Sequence, residues 1–226
     1  KLVMTTMPIQ KIIFASLAFA FNNWQKLLEA SIFPFLIALP FITNFRELNV
    51  FYNQFFSMGQ FQENFDYLML LYPLMFTYGN MALLINIYRI VVQGNNSILR
   101  FGVVLPNRRL GRFFLITILL AFAQLPGAFL PFLEPFIYFL LIPILLNLVS
   151  IANDIPYKKI KLSISVWGNI FLVNFGILYI LSKLLELIGV NDFIHLGLDF
   201  LSMYWMAITL ALCYRVIMAN NSKQSP

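Results

Sequence analysis

The sequence has little charge and almost no reactive side chains. Lys, Arg, Asp and Glu make up only 11% of the 226 residues, against about 25% in ordinary soluble domains. So few charged side chains cannot cover the surface of a water-soluble globule of this length. The single cysteine, Cys213, excludes an intrachain disulfide and any metal or iron–sulfur site built from cysteines. The composition therefore excludes a soluble domain and leaves a membrane protein.

Apolar residues make up most of the chain. They amount to 61% of the chain, with 25 Phe and a mean hydropathy of +0.82. A helix needs roughly 20 apolar residues to cross a bilayer. Six segments qualify, at residues 27–45, 68–91, 113–132, 135–151, 170–188 and 198–218. The sequence therefore predicts an all-α membrane protein with six transmembrane helices. The apolar stretch 12–21 is too short to span and has no cleavage site, which predicts an interfacial helix rather than a signal peptide.

The basic residues divide unequally between the two sides of this topology. Only Arg46 and Lys183 fall on one side, together with most of the acidic residues. The other thirteen fall opposite: Lys1, Lys11, Lys26, Arg89, Arg100, Arg108, Arg109, Arg112, Lys158, Lys159, Lys161, Arg215 and Lys223. Because basic loops stay in the cytoplasm, we expect a multi-pass protein of the bacterial inner membrane with both termini cytoplasmic. Arg108, Arg109, Lys158, Lys159 and Lys161 predict contact with anionic lipid, and we expect no nucleic-acid partner.

The chain also contains a loose internal repeat. Each unit has an amphipathic cytoplasmic segment, called an elbow, followed by a helical hairpin. The three elbows are residues 8–25, 97–112 and 157–169. The long outer loop 46–67 makes the spacing irregular. The repeat predicts three elbow-plus-hairpin units, although any six-span protein with amphipathic connectors would show a similar pattern.

Four segments carry a resemblance to a known family. They read FNNWQKLLEAS at residues 21–31, GNMALLINIYRIVVQGNNSILRFGVVLPNRRLGRFFLITILL at 79–120, SISVWGNIFLVNFGILYILSKLL at 163–185 and ALCYRVIM at 211–218. This layout resembles the YciC-type inner-membrane proteins, a group that also includes the membrane domain of some glycerophosphodiester phosphodiesterases. The Phe-, Gln- and Asn-rich outer loop departs from the family pattern. The resemblance implies a six-helix inner-membrane protein and supplies no catalytic residues.

The residues offer little chemistry. His195, with Asp192 and Asp199 nearby, has the side chains of a metal site, but three such residues in an outer loop more often form ordinary surface. A catalytic serine would need a base beside it, and the single histidine lies on the outer side. The Gly94 turn lacks the pattern of a phosphate-binding loop. We therefore expect a protein that is not an enzyme and that holds no cofactor or metal.

Five amides lie within the predicted spans, where polar groups are costly and normally face the bundle interior. They are Asn80, Asn86, Gln124, Asn147 and Asn174. We favour hydrogen bonding between helices, since amides join helices without carrying protons. The alternative is that they line a transport site.

The aromatic residues fall into two groups. Most Trp and Tyr, including Tyr138 and Trp205, lie towards span ends, as in an interfacial belt. The outer loop is different, because Phe51, Phe55, Phe56, Phe61 and Phe65 alternate with polar residues. This pattern predicts an amphipathic helix that contacts a partner protein or the outer leaflet, and a self-packed cap is the alternative.

Two functional hypotheses follow. In the first, the protein is a non-enzymatic accessory or scaffold subunit of a larger membrane complex, and its partners are membrane lipids and another membrane protein. In the second, it is a small carrier or binder of a lipid-like or uncharged substrate. The position of the amides separates the two. Convergence on a solvent-accessible cavity favours a carrier, and pairing across helix contacts favours a scaffold.

Overall fold

The chain folds as an all-α protein. The structure is a computed structural model that describes residues 9–48, 50, 68–156, 162–188 and 192–222. The main helices in these residues are α1 (Ile9–Asn22), α2 (Trp24–Thr43), α3 (Leu68–Gln93), α4 (Arg108–Phe129), α5 (Glu134–Ala152), α6 (Ile164–Phe171), α7 (Ile177–Ile188) and α8 (Asp192–Ser222). Residues 45–48 and 50, at the start of the predicted outer loop, are also helical. The same residues contain no β-strand. A π-helical turn, Leu172–Gly176, joins α6 to α7.

Within the described residues, six helical segments are long and apolar enough to cross a membrane, which confirms the predicted fold class. They are Trp24–Thr43, Leu70–Gln93, Arg108–Gly127, Pro131–Ala152, Ile164–Leu185 and Phe200–Ala219. The fifth consists of α6, the π-helical turn and most of α7. Two spans begin earlier than hydropathy alone predicts, because each has a capping side chain. Asn107 accepts a hydrogen bond of 2.8 Å from the Leu110 N–H, and Ser163 accepts one of 3.4 Å from the Val166 N–H.

The first predicted elbow is a separate helix, α1. It buries Ile12 and Ser16 and leaves Phe14 and Phe21 exposed, so it is apolar on more than one face. Its inner side packs against α8 and the π-helical turn. This arrangement suits a helix that is in contact with lipid on one side and with the bundle on the other.

The second predicted elbow differs from a continuous helix. Residues 97–112 begin at the end of one 3₁₀ turn, Asn95–Ser97, continue through a second, Arg100–Gly102, and become extended before α4. Gly94 and Gly102 adopt φ angles of 94° and 73°, which glycine tolerates and a right-handed helix does not contain. The backbone angles of these glycines therefore interrupt the helix that the spacing of the apolar residues predicts. In the third elbow, residues 157–161 lie outside the described residues, and residues 164–169 belong to the span that starts with α6.

The helices pack as hairpins, and the distance between the two helices differs from one hairpin to another. The α2 and α3 backbones lie close together at Gly79, where a Cβ atom would lie 2.5 Å from the Pro34 carbonyl oxygen. Helix α4 packs mainly on α5, and α8 packs on α1, α3, α5 and the π-helical turn. The outward face of α4 remains apolar and exposed, at Leu115, Leu119 and Phe122. An exposed apolar face of this kind is compatible with contact with the hydrocarbon of a membrane.

Candidate functional site

Asn86 joins α2, α3 and the connection between α3 and α4. It is 1% exposed, and its Nδ2 atom donates to the Ala30 carbonyl at 3.2 Å and to the Gly102 carbonyl at 2.8 Å. Its Oδ1 atom is buried without a hydrogen-bond partner. The close approach depends on glycine, because a Cβ atom at position 102 would lie 2.0 Å from the Ala30 oxygen. Asn86 therefore holds a non-helical segment against two spans.

Tyr78 supports the same segment from one face of α3. Its hydroxyl donates to the Val104 carbonyl, two residues beyond Gly102. Irregular backbone at membrane depth must find its hydrogen bonds within the protein, since hydrocarbon supplies none. Asn86 and Tyr78, eight residues apart on one helix, provide such bonds. The amide was predicted from the sequence, but the tyrosine was not. Its spacing of two helical turns from Asn86 was the available signal.

Asn174 forms the second buried amide contact. It lies in the π-helical turn, is 1% exposed, and donates from Nδ2 to the Met206 carbonyl at 3.0 Å and to Thr209 Oγ1 at 3.1 Å. Its Oδ1 atom accepts a hydrogen bond of 2.8 Å from the Tyr138 hydroxyl. One side chain thus connects the fifth span to α5 and α8, with each of these hydrogen bonds made to another helix.

The π-helical turn contributes a further contact between the fifth span and α8. The Trp205 Nε1 atom donates to the Val173 carbonyl at 2.9 Å, since a π-helical turn changes the regular i to i−4 hydrogen-bond pattern of the helix. Thr209 donates back to the Trp205 carbonyl at 2.8 Å. Trp205 and Tyr138 therefore place their polar atoms in helix contacts, which an interfacial belt does not predict.

The five predicted amides do not converge. Asn86 and Asn174 occupy different helix junctions. Asn80 is half-buried on α3, and Gln124 is exposed on α4. Asn147 is half-buried on α5 and lies beside a cavity, with its Oδ1 atom buried and without a hydrogen-bond partner. The arrangement gives two separate hydrogen-bonded helix contacts and no shared central chamber among these side chains.

The end of the bundle at which α3, α5 and α8 finish is called the basic end. Here Arg89 Nε donates to the Ala152 carbonyl at 2.9 Å, and Gln93 Nε2 donates to the Asn153 carbonyl at 2.7 Å. Arg215 of α8 donates to a carbonyl near the end of α3 at 3.5 Å. These donors satisfy carbonyls at the helix ends, which lack partners within their own helix. They also connect three spans at one level.

A cavity of about 520 Å³ opens beside the start of α4 and the end of α5. It is called the arginine cavity, and its lining consists of Arg108, Arg109, Arg112, Leu115, Ile116, Asn147, Ile151, Asp154, Ile155 and Pro156. Arg109 forms an ion pair with Asp154, and its Nε atom is buried without a hydrogen-bond partner. The cavity therefore combines three guanidinium groups, one carboxylate and an apolar wall.

A second space, the apolar groove, lies between α1, α7 and α8 and measures about 600 Å³. Aromatic side chains line part of it, including Phe175, Tyr179 and Trp205. Leu178, Leu181 and further aliphatic residues form most of the remaining wall. The lining also includes polar residues, which are Glu134, Lys183, Ser16, Ser182 and Ser202. Its chemistry suits an acyl chain or another apolar group far better than a polar solute.

Several predicted residues lie outside the described residues. They are Phe51, Phe55, Phe56, Phe61 and Phe65 of the outer loop, Lys158, Lys159 and Lys161, and the side chains of Asp192, His195 and Asp199. Within the part of the chain that the structure describes, no three His, Cys, Asp or Glu side chains are grouped as a metal site. No family model matches the chain, and searches of curated proteins and of solved structures find no match.

Proposed function

We propose that this protein is a non-enzymatic accessory or scaffold subunit of a larger membrane complex. The observation that carries the proposal is the use of the two buried amides among the five predicted from the sequence. Asn86 and Asn174 direct their donors to carbonyls and a hydroxyl of other elements. A transport site would need polar groups directed into a water-filled space. These amides stabilise the packing of helices, as expected of a bundle with a lasting shape.

The basic end supports the same proposal. Arg89, Gln93 and Arg215 connect α3, α5 and α8 through side chain to carbonyl hydrogen bonds. Alternating access requires one group of helices to rock against another around a central site. Connections between three spans at one level oppose such movement. They suit a subunit that presents a constant surface to its partner.

The surface of the bundle offers room for a membrane-protein partner. Phe35 and Leu36 on α2, and Phe122 and Phe129 on α4, are exposed apolar side chains. In a membrane these faces contact lipid or another span. The outer loop 46–67 is the other part of the proposed contact surface, through its five phenylalanines. Membrane lipids and a membrane-protein subunit are the partners we propose.

The alternative function is a small carrier or binder of a lipid-like or uncharged substrate. The apolar groove favours it, since Phe175, Tyr179 and Trp205 border about 600 Å³ of space with a largely apolar lining. A carrier must also release its ligand on the far side of the membrane. The groove lies beside α1 and α8, and the buried amides use their donors elsewhere, so the scaffold role is preferred.

We also propose a bacterial inner-membrane location with both termini in the cytoplasm. Among the described residues, Lys26, Arg100 and the three arginines of α4 stand at or near the basic end. The excess of Lys and Arg on one side supports its placement in the cytoplasm. The resemblance to YciC-type proteins supports the same location, and membership of that family is part of the proposal.

The only cysteine provides a test of the closed interior. Cys213 is 1% exposed on α8, so we expect no labelling of the unaltered protein by a small maleimide in native membranes. A Phe56→Cys variant with Cys213→Ala is the positive control. Because residue 56 falls in the outer loop, a membrane-impermeant maleimide should label this variant in intact cells.

Two results would contradict these expectations. Labelling of Cys213 as fast as the cysteine at position 56 would indicate a water-filled path through the bundle and would favour the carrier. Labelling at position 56 only after the cells are permeabilised would reverse the proposed topology. The Cys213→Ala variant alone should remain unlabelled, which confirms that each signal comes from one known site.

A further inference from the structure

The start of α4 concentrates positive charge where a helix already has a positive end. Arg108, Arg109 and Arg112 all lie in the first two turns, and the amide dipoles of a helix favour negative groups there. Arg108 and Arg112 are four residues apart and therefore share a face. Asp154 supplies one negative charge through its ion pair with Arg109. Three guanidinium groups and one carboxylate leave an excess of positive charge that favours an anion.

The cavity beside these arginines is amphiphilic. Leu115, Ile116 and Ile151 form an apolar wall next to the charged groups. Arg108 and Arg112 are exposed, so their guanidinium groups are accessible from outside. A phosphate group can reach the arginines while an attached apolar chain follows the wall along α4. A phospholipid is the class of molecule that has both parts.

Two buried atoms lack hydrogen-bond partners at this site. Arg109 Nε is a donor, and Asn147 Oδ1 is an acceptor, and both residues line the arginine cavity. Buried polar atoms without partners are uncommon, so these two, in the lining of one cavity, are available to a ligand that enters it. A phosphate oxygen satisfies the arginine. A hydroxyl group on the same headgroup satisfies the asparagine, which a bare phosphate monoester does not do as well.

We propose that the arginine cavity binds the phosphate ester headgroup of an anionic phospholipid that carries a hydroxyl, such as the phosphoglycerol of phosphatidylglycerol. The phosphate contacts Arg108, Arg109 and Arg112, and the hydroxyl donates to Asn147. The site is independent of the scaffold role. It also goes beyond the insertion signal, since the orientation of a membrane protein requires basic residues near a span but requires neither a cavity nor an unpartnered amide.

The test uses the full chain, purified in a neutral detergent and titrated with phosphatidylglycerol. Native mass spectrometry measures the fraction of protein that carries one lipid. We expect Arg112→Gln to weaken this binding about tenfold, because a charge-assisted hydrogen bond is lost. Arg100→Gln is the matched control, since Arg100 is an exposed arginine at the same end but not part of the cavity lining. It should change the affinity less than about twofold.

Two further variants distinguish the site from general attraction of anions. Asp154→Asn removes the carboxylate that occupies Arg109 and should strengthen binding several-fold. Asparagine also tolerates the φ angle of 56° at this position. Asn147→Leu should weaken binding of phosphatidylglycerol while leaving that of phosphatidic acid nearly unchanged. Phosphatidylcholine, with no net negative charge, should bind weakly to every variant.

Three results would overturn the proposal. Equal losses in Arg112→Gln and Arg100→Gln would show a diffuse charge effect rather than a site. Phosphatidylcholine binding as tightly as phosphatidylglycerol would exclude recognition of the anionic headgroup. Competition by free glycerol 3-phosphate at the concentration at which the lipid binds would identify a soluble phosphate ester as the occupant instead of a lipid.

Discussion

A Gly102→Ala variant should be strongly destabilised. Glycine at this position has a φ angle of 73°, and a Cβ atom there would lie 2.0 Å from the Ala30 oxygen and 2.8 Å from Asn86 Nδ2. The backbone strain costs about 1 kcal/mol, and forced displacement of the packed neighbours adds about 1–3 kcal/mol. We expect a total loss of about 3 kcal/mol in the free energy of unfolding. Denaturation of the purified protein in mixed micelles measures it.

Two other glycines separate the causes of this loss. Gly94 has a φ angle of 94°, and no atom lies within 4 Å of the position that a Cβ atom would occupy, so Gly94→Ala carries strain without a clash. Its φ of 94° is combined with a ψ of 176°, a region that essentially only glycine adopts, so the variant should lose about 2 kcal/mol. Gly111 lies within α4 with open space around it, and Gly111→Ala should gain about 0.5–1 kcal/mol of stability. Equal losses at positions 102 and 94 would contradict the close packing of the segment against α2.

An Asn174→Leu variant should be the next most damaging change. Leucine has the same number and branching of side-chain heavy atoms as asparagine, but the change removes three hydrogen bonds between helices, to Tyr138, Met206 and Thr209. Hydrogen bonds between membrane helices contribute about 0.6 kcal/mol each on average. The loss of three, with polar groups left unpaired, should lower the free energy of unfolding by about 2 kcal/mol. The same denaturation measurement detects this change.

Gln124→Leu is the matched control for this substitution. Gln124 is exposed on α4, so replacing its amide by an apolar side chain should leave stability unchanged or raise it slightly. The comparison removes any general effect of adding a leucine to a span. A variant at position 174 as stable as the one at position 124 would show that the Asn174 contacts do not hold the bundle together.

The sequence was sufficient for the number of spans but not for the role of each amide. The number of spans follows from the length and hydropathy of each segment, and both can be read from that segment alone. Which face of a span points inward depends on the neighbouring helices. The spans are apolar on nearly every side, so no polar face distinguished buried Asn174 from exposed Gln124. Apart from Asn174 itself, the residues around the π-helical turn are apolar, so the sequence gives no signal of the turn.

The second elbow shows a similar limit. Its apolar spacing resembles a helix, while Gly94 and Gly102 allow backbone angles that end one. The backbone path became clear only from its contacts with Ala30, Tyr78 and Asn86, which belong to distant parts of the chain.

The arginine cavity was predictable only in part. The spacing of Arg108 and Arg109 near a span predicted contact with anionic lipid. The cavity itself also needs Asn147 and Asp154, which come from the end of α5 and the turn after it. A pairing between two helices of opposite direction brings them together, and no local pattern in either segment indicates that they meet.

The central claim is that this protein is a non-enzymatic accessory or scaffold subunit of a larger membrane complex. The most direct test is to purify a tagged chain from its native membrane in a mild detergent and to identify by mass spectrometry what remains bound. We expect a membrane-protein partner in a fixed stoichiometric ratio, retained in repeated preparations. A chain that purifies without a protein partner, with a specific small molecule or lipid-like substrate in the apolar groove, would contradict it and favour the carrier.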